Sequence, residues 1–440
     1  MVKTLTKSIR QYKKESILSP VLVSLEVTLE CLIPLYMMTM LDKIQVDNSL
    51  TNILKWGGIL LALAAFSLVF GMLAGKYAAT ASAGFATNLR GDMFDKIQTF
   101  SFANIDKFSP SSLVTRLTTD ITNIQTAYMM IIRVAVRSPI MLIISLVMTF
   151  TINAKLASIF LAISVVLGLL LFIIFKKAIP IFERVFKKYD KMNESVQENV
   201  KGMRVVKSYV REDYESKKFA ATAQSVRMDF QRGERLIAFN TPAMQLSIWL
   251  AITLICYFGT STIINSNEEA MTSSALSSLI VFAAQCLSSL MMLSMVMVMI
   301  SIARASAERV VEVLHEESTL HNPENPVYEV ETGDVEFRGV SFKYSAKAER
   351  NALQGINLKV SSGQTVGILG GTGSSKTTLV SLIPRLYDAT EGEVLVGGRN
   401  VKEYDLEALR NQVSVVLQKN VLFSGTIKEN LRWGTASPNS

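Results

Sequence analysis

Six long apolar stretches constrain the fold of this chain more than any other feature of its sequence. Each has about 20 residues or more, the length that an α-helix needs to cross the hydrocarbon layer of a bilayer. With 49% hydrophobic and 19% charged residues and a mean hydropathy of +0.31, the chain is too apolar for an ordinary soluble protein. We therefore predict an integral, multi-pass membrane protein. The stretches cover residues 17–41, 53–74, 127–150, 156–175, 236–264 and 276–302.

The basic residues are distributed around these stretches in a way that predicts the orientation of the chain. Lysines and arginines precede the first stretch and fill the connections between the second and third and between the fourth and fifth. By the positive-inside rule these segments and both termini are cytoplasmic. The net charge of +8 therefore indicates membrane topology and not a nucleic-acid partner. The first stretch is too long for a signal-peptide core, and the lack of a visible organellar presequence favours a bacterial plasma membrane.

The two long basic connections have a helical pattern. Apolar residues recur every three to four positions through residues 85–100 and 182–200. At about 1.5 Å per residue, such helices would extend well beyond the bilayer toward a cytoplasmic domain. The alternative is that they are surface helices of a separate lobe. The cysteines, Cys31, Cys256 and Cys286, lie inside apolar stretches and are predicted to be packing residues.

A phosphate-binding loop is predicted at residues 370–377, between an apparent strand at 364–369 and an apparent helix at 376–386. Glycines let the backbone N–H groups turn toward a phosphate, while Lys376 and Thr377 can serve phosphate oxygens and Mg²⁺. The loop makes ATP the working hypothesis, with a plain glycine-rich turn as the alternative. One position departs from the pattern, because Ser375 stands where glycine is expected before the lysine.

The chain after the last apolar stretch has the pattern of a separate α/β domain. Two prolines, Pro323 and Pro326, interrupt the helix that continues from the sixth stretch. Short β-like runs follow at 335–342 and 353–360, with a hairpin-like segment at 393–398. We predict a basic N-terminal helix at 1–16, a membrane domain at 17–314, a linker at 315–327 and part of a nucleotide-binding domain at 328–440.

Six apolar stretches, long helical connections and a C-terminal phosphate-loop domain follow one another along this chain. In this arrangement the chain resembles the ATP-binding cassette (ABC) exporters of the multidrug type, in which one chain supplies half a transporter. The resemblance implies a six-helix transmembrane domain followed by a partial α/β P-loop domain. Residues 113–120 and 210–215 with Phe219 resemble the segments around the two coupling helices, although Ser111 and Ser112 stand where Gly-Glu is usual. By the same resemblance Tyr344 stacks on adenine, and Gln418 senses Mg²⁺ and the attacking water. The implied nucleotide-binding residues are Tyr344, Gly370, Gly371, Thr372, Gly373, Ser374, Ser375, Lys376, Thr377 and Thr378. Of the residues implied by the resemblance, Thr377 and Gln418 would bind the metal ion, and Lys376 and Gln418 would take part in catalysis.

The resemblance also implies partners and a mechanism. Two halves, identical or different, would bind ATP and Mg²⁺ between their nucleotide domains and export amphipathic drugs, lipids or peptides. The chain ends before the family's signature motif, Walker B carboxylates and switch histidine, so we expect it to be a fragment of a longer half-transporter. The alternative is a truncated, non-hydrolysing membrane subunit that only binds nucleotide and a partner half.

Several residues inside the apolar stretches are unusual there. Glu26 and Glu30 share one helical face, at a depth where carboxylates are costly. They are expected either to contact a cationic or polar substrate or to bond neighbouring helices. Arg133 and Arg137 are expected to extend toward the cytoplasmic interface. Met291, Met295 and Met299 form a stripe that suits either packing and lipid contact or a surface that accepts many shapes.

Overall fold

The computed structural model of the protein describes residues 1–46, 49–266, 269, 271–345, 348–371, 373–416 and 421–432. At residues 46, 183, 186, 187, 190 and 194 it describes the backbone alone. By internal contacts the chain divides into two compact units. The first unit contains Met1–Asp92 and Thr118–Val311, and the second contains Met93–Leu117 and Glu312–Ser440. The second unit thus includes a short segment that precedes the third apolar stretch.

The described residues form fourteen α-helices, and the longest of them contain the apolar stretches. A 3₁₀ helix at Lys7–Tyr12 links the first two helices, and a π-helical turn at Arg116–Asp120 precedes the sixth. The helices are α1 (Val2–Thr6), α2 (Lys13–Val46), α3 (Leu50–Gln98), α4 (Phe102–Phe108), α5 (Pro110–Thr115), α6 (Ile121–Ile152), α7 (Ala154–Lys201), α8 (Met203–Ser208), α9 (Glu212–Ala238), α10 (Asn240–Ser266), α11 (Ser273–His315), α12 (Lys376–Leu382), α13 (Leu406–Gln412) and α14 (Ile427–Leu431).

Six segments of the described chain are long and apolar enough to cross a membrane, which confirms the predicted number and order of spans. The sharp reversal between α6 and α7 has a local cause. Asn153 has an extended backbone there, and its side-chain oxygen accepts hydrogen bonds from the backbone N–H groups of Lys155 and Leu156, each at 3.1 Å. This cap satisfies donors that the first turn of α7 leaves without helical partners.

The spans pack through buried apolar clusters. One cluster joins α7, α10 and α11 around Phe160, Ile255 and Leu279, which are at most 1% exposed. A second joins α2, α3, α6 and α11 and includes Cys31. Cys31 and Cys286 are free, buried thiols within these two clusters, in agreement with their predicted role in packing.

The charged side chains inside the first and third spans pair with each other. Arg137 of α6 donates from Nη1 to Glu26 and from Nη2 to Glu30 of α2, both at 2.5 Å. The structure thus pairs the two glutamates with a neighbouring helix, one of the two arrangements expected from the sequence. That Arg137 extends toward the cytoplasmic interface stays a prediction; the structure shows its guanidinium group paired with the two carboxylates of α2.

Beyond the spans, α7 continues as a long helix and packs against α9, as the helical pattern of residues 182–200 predicts. Gly233 allows this close approach, since a Cβ atom there would lie 2.9 Å from the ring of Phe182. Lys188 donates to the carboxylate of Asp229 at 2.6 Å and to Ser225 at 2.8 Å. The hydrogen bond from Lys188 lowers the pKa of Asp229 below its usual range.

The second unit contains a four-stranded antiparallel sheet in the order β2-β1-β3-β4. Its inward side chains form one core with α12 and α13, around Phe337, Tyr404 and Leu409. The strand predictions at 335–342 and 353–360 and the hairpin prediction at 393–398 are confirmed. The strands are β1 (Val335–Phe342), β2 (Leu353–Val360), β3 (Glu391–Val396) and β4 (Arg399–Asn400).

Two local predictions in this unit are wrong. Residues 364–369 do not form a strand, and the Leu369 side chain is 97% exposed. The reason is that no described strand lies beside this segment to accept and donate its backbone hydrogen bonds. The helix predicted at 376–386 ends at Leu382, because Pro384 has no backbone N–H group with which to continue the hydrogen-bond ladder.

Candidate functional site

The predicted phosphate-binding loop forms a tight turn immediately before α12. Gly373 has a φ of +85°, a left-handed backbone that glycine adopts without steric cost. The loop ends at Ser375, which has φ 58° and ψ 25°. This serine therefore occupies the left-handed conformation for which the sequence pattern specifies glycine. The Cβ atom of Ser375 makes this conformation strained.

Lys376, the first residue of α12, folds back over the loop. Its Nζ atom donates to the carbonyl oxygens of Gly370 and Gly371, both at 2.8 Å, and to the Ser374 hydroxyl at 3.1 Å. The ammonium group thus lies at the centre of the turn, within reach of a phosphate that enters it. The next side chain, Thr377, is exposed on the first turn of α12 and can reach a metal ion at the same phosphate.

Tyr344 lies beside this loop. Its hydroxyl group is 2.7 Å from the Thr378 hydroxyl on α12, and its ring is half-exposed. Thr378 is buried, so its contact with Tyr344 fixes the aromatic ring relative to α12. Tyr344 meets Phe342 edge-on, with the ring centroids 4.9 Å apart. An exposed aromatic face beside a phosphate-binding turn is suited to stacking on a nucleotide base.

A further aromatic residue, Tyr387, extends this group and was not predicted from the sequence. Its ring centroid lies 5.4 Å from those of Phe342 and Tyr344, and its hydroxyl donates to Asp106 of α4 at 2.8 Å. Burial, followed by the hydrogen bond to Asp106, raises the pKa of the Tyr387 hydroxyl. The tyrosine is therefore neutral at physiological pH, as a hydrogen-bond donor to a carboxylate has to be.

Helix α4 is anchored at its other end by the segment that follows α11. Asn104 donates to the Glu316 carboxylate and to the Glu317 carbonyl, both at 3.0 Å, and Lys107 donates to Glu316 at 2.6 Å. The bond from Lys107 lowers the pKa of Glu316. One short helix thus contacts both the segment leading into the sheet and the aromatic group beside the phosphate-binding loop.

The sequence predicted the loop, Lys376, Thr377 and Tyr344 but not the residues that support them. Within the second unit the structure brings Tyr344 to α12 through Thr378. Tyr387 and Asp106 were missed because a lone tyrosine after a proline and a lone aspartate in a short helix carry no pattern. Thr372 and Gln418 lie outside the described residues, so their predicted roles remain predictions.

The fold and the loop together define a class: multi-pass membrane proteins with a phosphate-binding loop in a domain that follows the spans. Comparison with known families specifies the class further. The family described as "ABC transporter transmembrane region" matches residues 16–299, and the family described as "ABC transporter" matches residues 353–439. The match at residues 353–439 contains the whole phosphate-binding loop, whereas Tyr344 lies before the first matched residue. The chain therefore belongs to the ABC transporter family.

Curated relatives agree with this assignment. An uncharacterized ABC transporter ATP-binding protein of Bacillus subtilis, YfiB, is 32% identical over 414 residues, 94% of this chain and 71% of that protein. An uncharacterized ABC transporter ATP-binding protein of Mycobacterium tuberculosis is 33% identical over 385 residues, 87% of this chain and 66% of its own length. A putative ABC transporter ATP-binding protein of Mycoplasma pneumoniae is 30% identical over 382 residues, 86% of this chain and 61% of that protein. The chain thus spans about two thirds of the length of these relatives.

Replacing Ser375 by glycine is expected to stabilise the second unit by about 1 kcal/mol, because glycine adopts the left-handed backbone without a Cβ penalty. The measurement is thermal unfolding of the detergent-solubilised chain. Ser374→Gly is the matched control, since Ser374 has no positive φ and its hydroxyl bonds to Lys376. Equal stabilisation by both changes would mean that the strain is not located at Ser375.

Proposed function

We propose that this chain is the membrane-spanning and ATP-binding half of an exporter that moves amphipathic molecules across the bacterial plasma membrane. One observation carries the proposal: six spans and a phosphate-binding loop, with its lysine at the centre of the turn, occur in one chain. A channel does not need the loop, and a soluble nucleotide-binding module does not need the spans. Both features are needed when ATP drives transport.

The proposed nucleotide site uses Lys376 for the β- and γ-phosphates and the aromatic face of Tyr344 for adenine. Mg²⁺ would be held by Thr377 and by the phosphates. Among the described residues, no group of three or more His, Cys, Asp or Glu side chains could hold a metal ion alone. This donor set fits Mg²⁺, which usually binds through one or two protein ligands together with substrate phosphates. Bound Mg²⁺ would neutralise charge on the phosphates during transfer.

A second exporter half is the proposed partner, identical to this chain or different from it. The turn between α8 and α9, at the predicted second coupling helix, supports this proposal. Val210 there has a φ of 49°, which is strained for a β-branched residue, and its side chain is 80% exposed. Tyr209 and Tyr214 beside it are also exposed. An exposed apolar turn held in a costly backbone conformation suits docking on another protein.

The proposed substrates are amphipathic drugs, lipids or peptides. The methionine stripe on α11 supports this part of the proposal: Met291 is 46% and Met295 is 57% exposed, while Met299 is half-buried. Flexible, polarizable thioethers on an open helix face can adapt to apolar groups of different shapes.

Replacing Lys376 by alanine tests the nucleotide site. The full chain in detergent is titrated with a fluorescent ATP analogue and Mg²⁺. Loss of a charge-assisted hydrogen bond to phosphate, worth about 1.5–3 kcal/mol, is expected to weaken binding about 10- to 100-fold. Lys402→Ala is the control, because Lys402 is an exposed lysine of the same unit. Equal affinity of the Lys376→Ala variant and the unchanged chain would show that nucleotide does not bind at this loop.

Phosphate release separates the two functional hypotheses when it is measured with the protein that the whole gene encodes, because a fragment without Walker B carboxylates is expected to release no phosphate under either hypothesis. ATP hydrolysis that the Lys376→Ala change abolishes would support an active exporter half. Nucleotide binding without phosphate release, also in the presence of a partner half, would support the non-hydrolysing subunit.

A further inference from the structure

Four charged residues inside the first and third spans form one cluster, here called the charged cluster: Glu26 and Glu30 of α2 with Arg133 and Arg137 of α6. Within each helix the two residues are four positions apart and therefore share a face. Arg137 bonds both glutamates. Charges at this depth in a span are costly, and they are typically found at sites of function.

The ion pairs leave two polar groups of the charged cluster without a partner. The second carboxylate oxygen of Glu26, Oε2, is buried and has no hydrogen-bond partner among the described residues. Arg133 is exposed and, within the described part of the chain, forms no ion pair. Because Arg137 is already shared between two carboxylates, the free acceptor and the free guanidinium group remain available to a ligand.

Helix α3 packs closely against Glu26 and Arg133. A Cβ atom on Gly71 would lie 2.9 Å from Oε1 of Glu26, and a Cβ atom on Gly75 would lie 3.5 Å from Nη1 of Arg133. Gly71 and Gly75 are one helical turn apart, about 6 Å along the axis. The carboxylate and the free guanidinium group therefore lie side by side along the same glycine face of α3.

We propose that the charged cluster binds the zwitterionic headgroup of an amphiphile, with an anionic phosphate on Arg133 and a primary amine on Glu26. A guanidinium group binds phosphate through two parallel hydrogen bonds, and an ammonium group supplies the donor that Glu26 Oε2 lacks. The two glutamates and two arginines have no net charge together, so a ligand with both charges matches the cluster better than an anion or a cation alone. Phosphoethanolamine has this chemistry, with two carbons between its amine and its phosphate.

The binding test uses the full chain in detergent and a fluorescent phosphatidylethanolamine, with phosphatidylglycerol as an anionic competitor that lacks the amine. Arg133→Gln is expected to weaken the binding of both lipids by about tenfold or more, since it removes a charge-assisted contact. Glu26→Gln is expected to weaken only phosphatidylethanolamine, because its amine alone needs the carboxylate. Arg227→Gln, which changes an exposed arginine of α9, is the control for general charge effects.

The contact between Gly75 and Arg133 gives an independent test that leaves every charge in place. A Cβ atom at Gly75 makes only ordinary van der Waals contact, so Gly75→Ala is expected to keep lipid affinity. Gly75→Leu places a larger side chain directly against the guanidinium group, displaces it, and is expected to lower affinity as much as Arg133→Gln. The thermal unfolding midpoint of each variant is measured alongside, so that loss of the fold is recognised. Unchanged affinity for phosphatidylethanolamine in folded Arg133→Gln and Gly75→Leu variants overturns the proposal.

The headgroup can belong to a lipid that stays bound or to an exported molecule. Reconstitution into vesicles with labelled phosphatidylethanolamine distinguishes the two sources: ATP-dependent movement between leaflets assigns an exported substrate, and binding without movement assigns a resident lipid. The transport measurement rests on the proposed export function, whereas the binding measurement does not. If only the export measurement fails, the proposed binding site is therefore not contradicted.

Discussion

Replacing Arg309 by methionine is expected to destabilise the first unit by about 3 kcal/mol or more, because it leaves a buried carboxylate without its cation. Asp120 is 1% exposed in its side chain, at the junction before α6. Arg309 of α11 donates to it from Nε at 2.7 Å and from Nη2, and the Ser306 hydroxyl donates at 2.9 Å. Without the guanidinium group, the carboxylate would keep only the Ser306 hydroxyl as a hydrogen-bond donor among the described side chains.

A matched control lies one turn away on the same helix. Arg304 pairs with Glu308 at 3.1 Å, but both side chains are more than half exposed. An exposed pair four residues apart contributes about 0.3–0.5 kcal/mol, so Arg304→Met is expected to have little effect. Thermal or denaturant unfolding of the detergent-solubilised chain measures both changes.

Replacing Asp120, the partner of Arg309, gives the second half of the test. If the cost of Arg309→Met comes from the uncompensated carboxylate, then adding Asp120→Asn should recover a large part of it, as a double-mutant cycle would show. Equal costs for Arg309→Met and Arg304→Met, or no recovery in the double variant, would mean that Asp120 does not depend on Arg309.

The spans and the strands β1 and β2 could be predicted from sequence because their signals are local. An apolar run of about 20 residues fixes a membrane helix wherever its neighbours lie. Strands β1 and β2 were predicted with their observed bounds, since β-branched and apolar residues mark both runs and turns flank them. By contrast, residues 364–369 have the composition of a strand but, among the described residues, no neighbour to pair with. A strand depends on partners in a way that a helix does not.

The site was only partly predictable for the same reason. Glycine spacing before a lysine predicts the loop, because one short segment contains the whole pattern. The contact between Tyr387 and Asp106, 281 residues apart, appears only when α4 packs in the second unit. Ser375 has a left-handed backbone, so the sequence departs from its pattern at a position whose conformation favours glycine.

Ion pairs between spans were the least predictable feature, since charge pattern alone does not show which helix faces meet. Glu26 and Glu30 were recognised as sharing a face, yet their partner, Arg137, lies more than a hundred residues away along the chain. The long side chain of Arg137 was expected to extend toward water, and its pairing with the two glutamates was not predicted. In the structure it connects two spans, and its stability contribution can be measured directly.

Replacing Arg137 by methionine is expected to cost about 3–5 kcal/mol in the free energy of unfolding, because it leaves two carboxylates between helices without a cation. Glu26 is 13% and Glu30 is 32% exposed in the side chain. The uncompensated charge on Glu26 should therefore account for most of the loss in the free energy of unfolding. Unfolding of the detergent-solubilised chain by heat or by SDS measures the change. Adding Glu26→Gln to Arg137→Met should restore part of the stability, since the buried charge is then removed as well.

Arg133, one turn earlier on α6, is the control that separates a structural cation from a ligand-binding one. It pairs with no carboxylate in the described part of the chain, so Arg133→Met should change the free energy of unfolding by less than about 0.5 kcal/mol. The two arginines are then expected to divide their roles: Arg137 stabilises the contact between α2 and α6, while Arg133 contributes to lipid affinity. Comparable destabilisation by both substitutions would contradict this division and would assign both arginines to the structure alone.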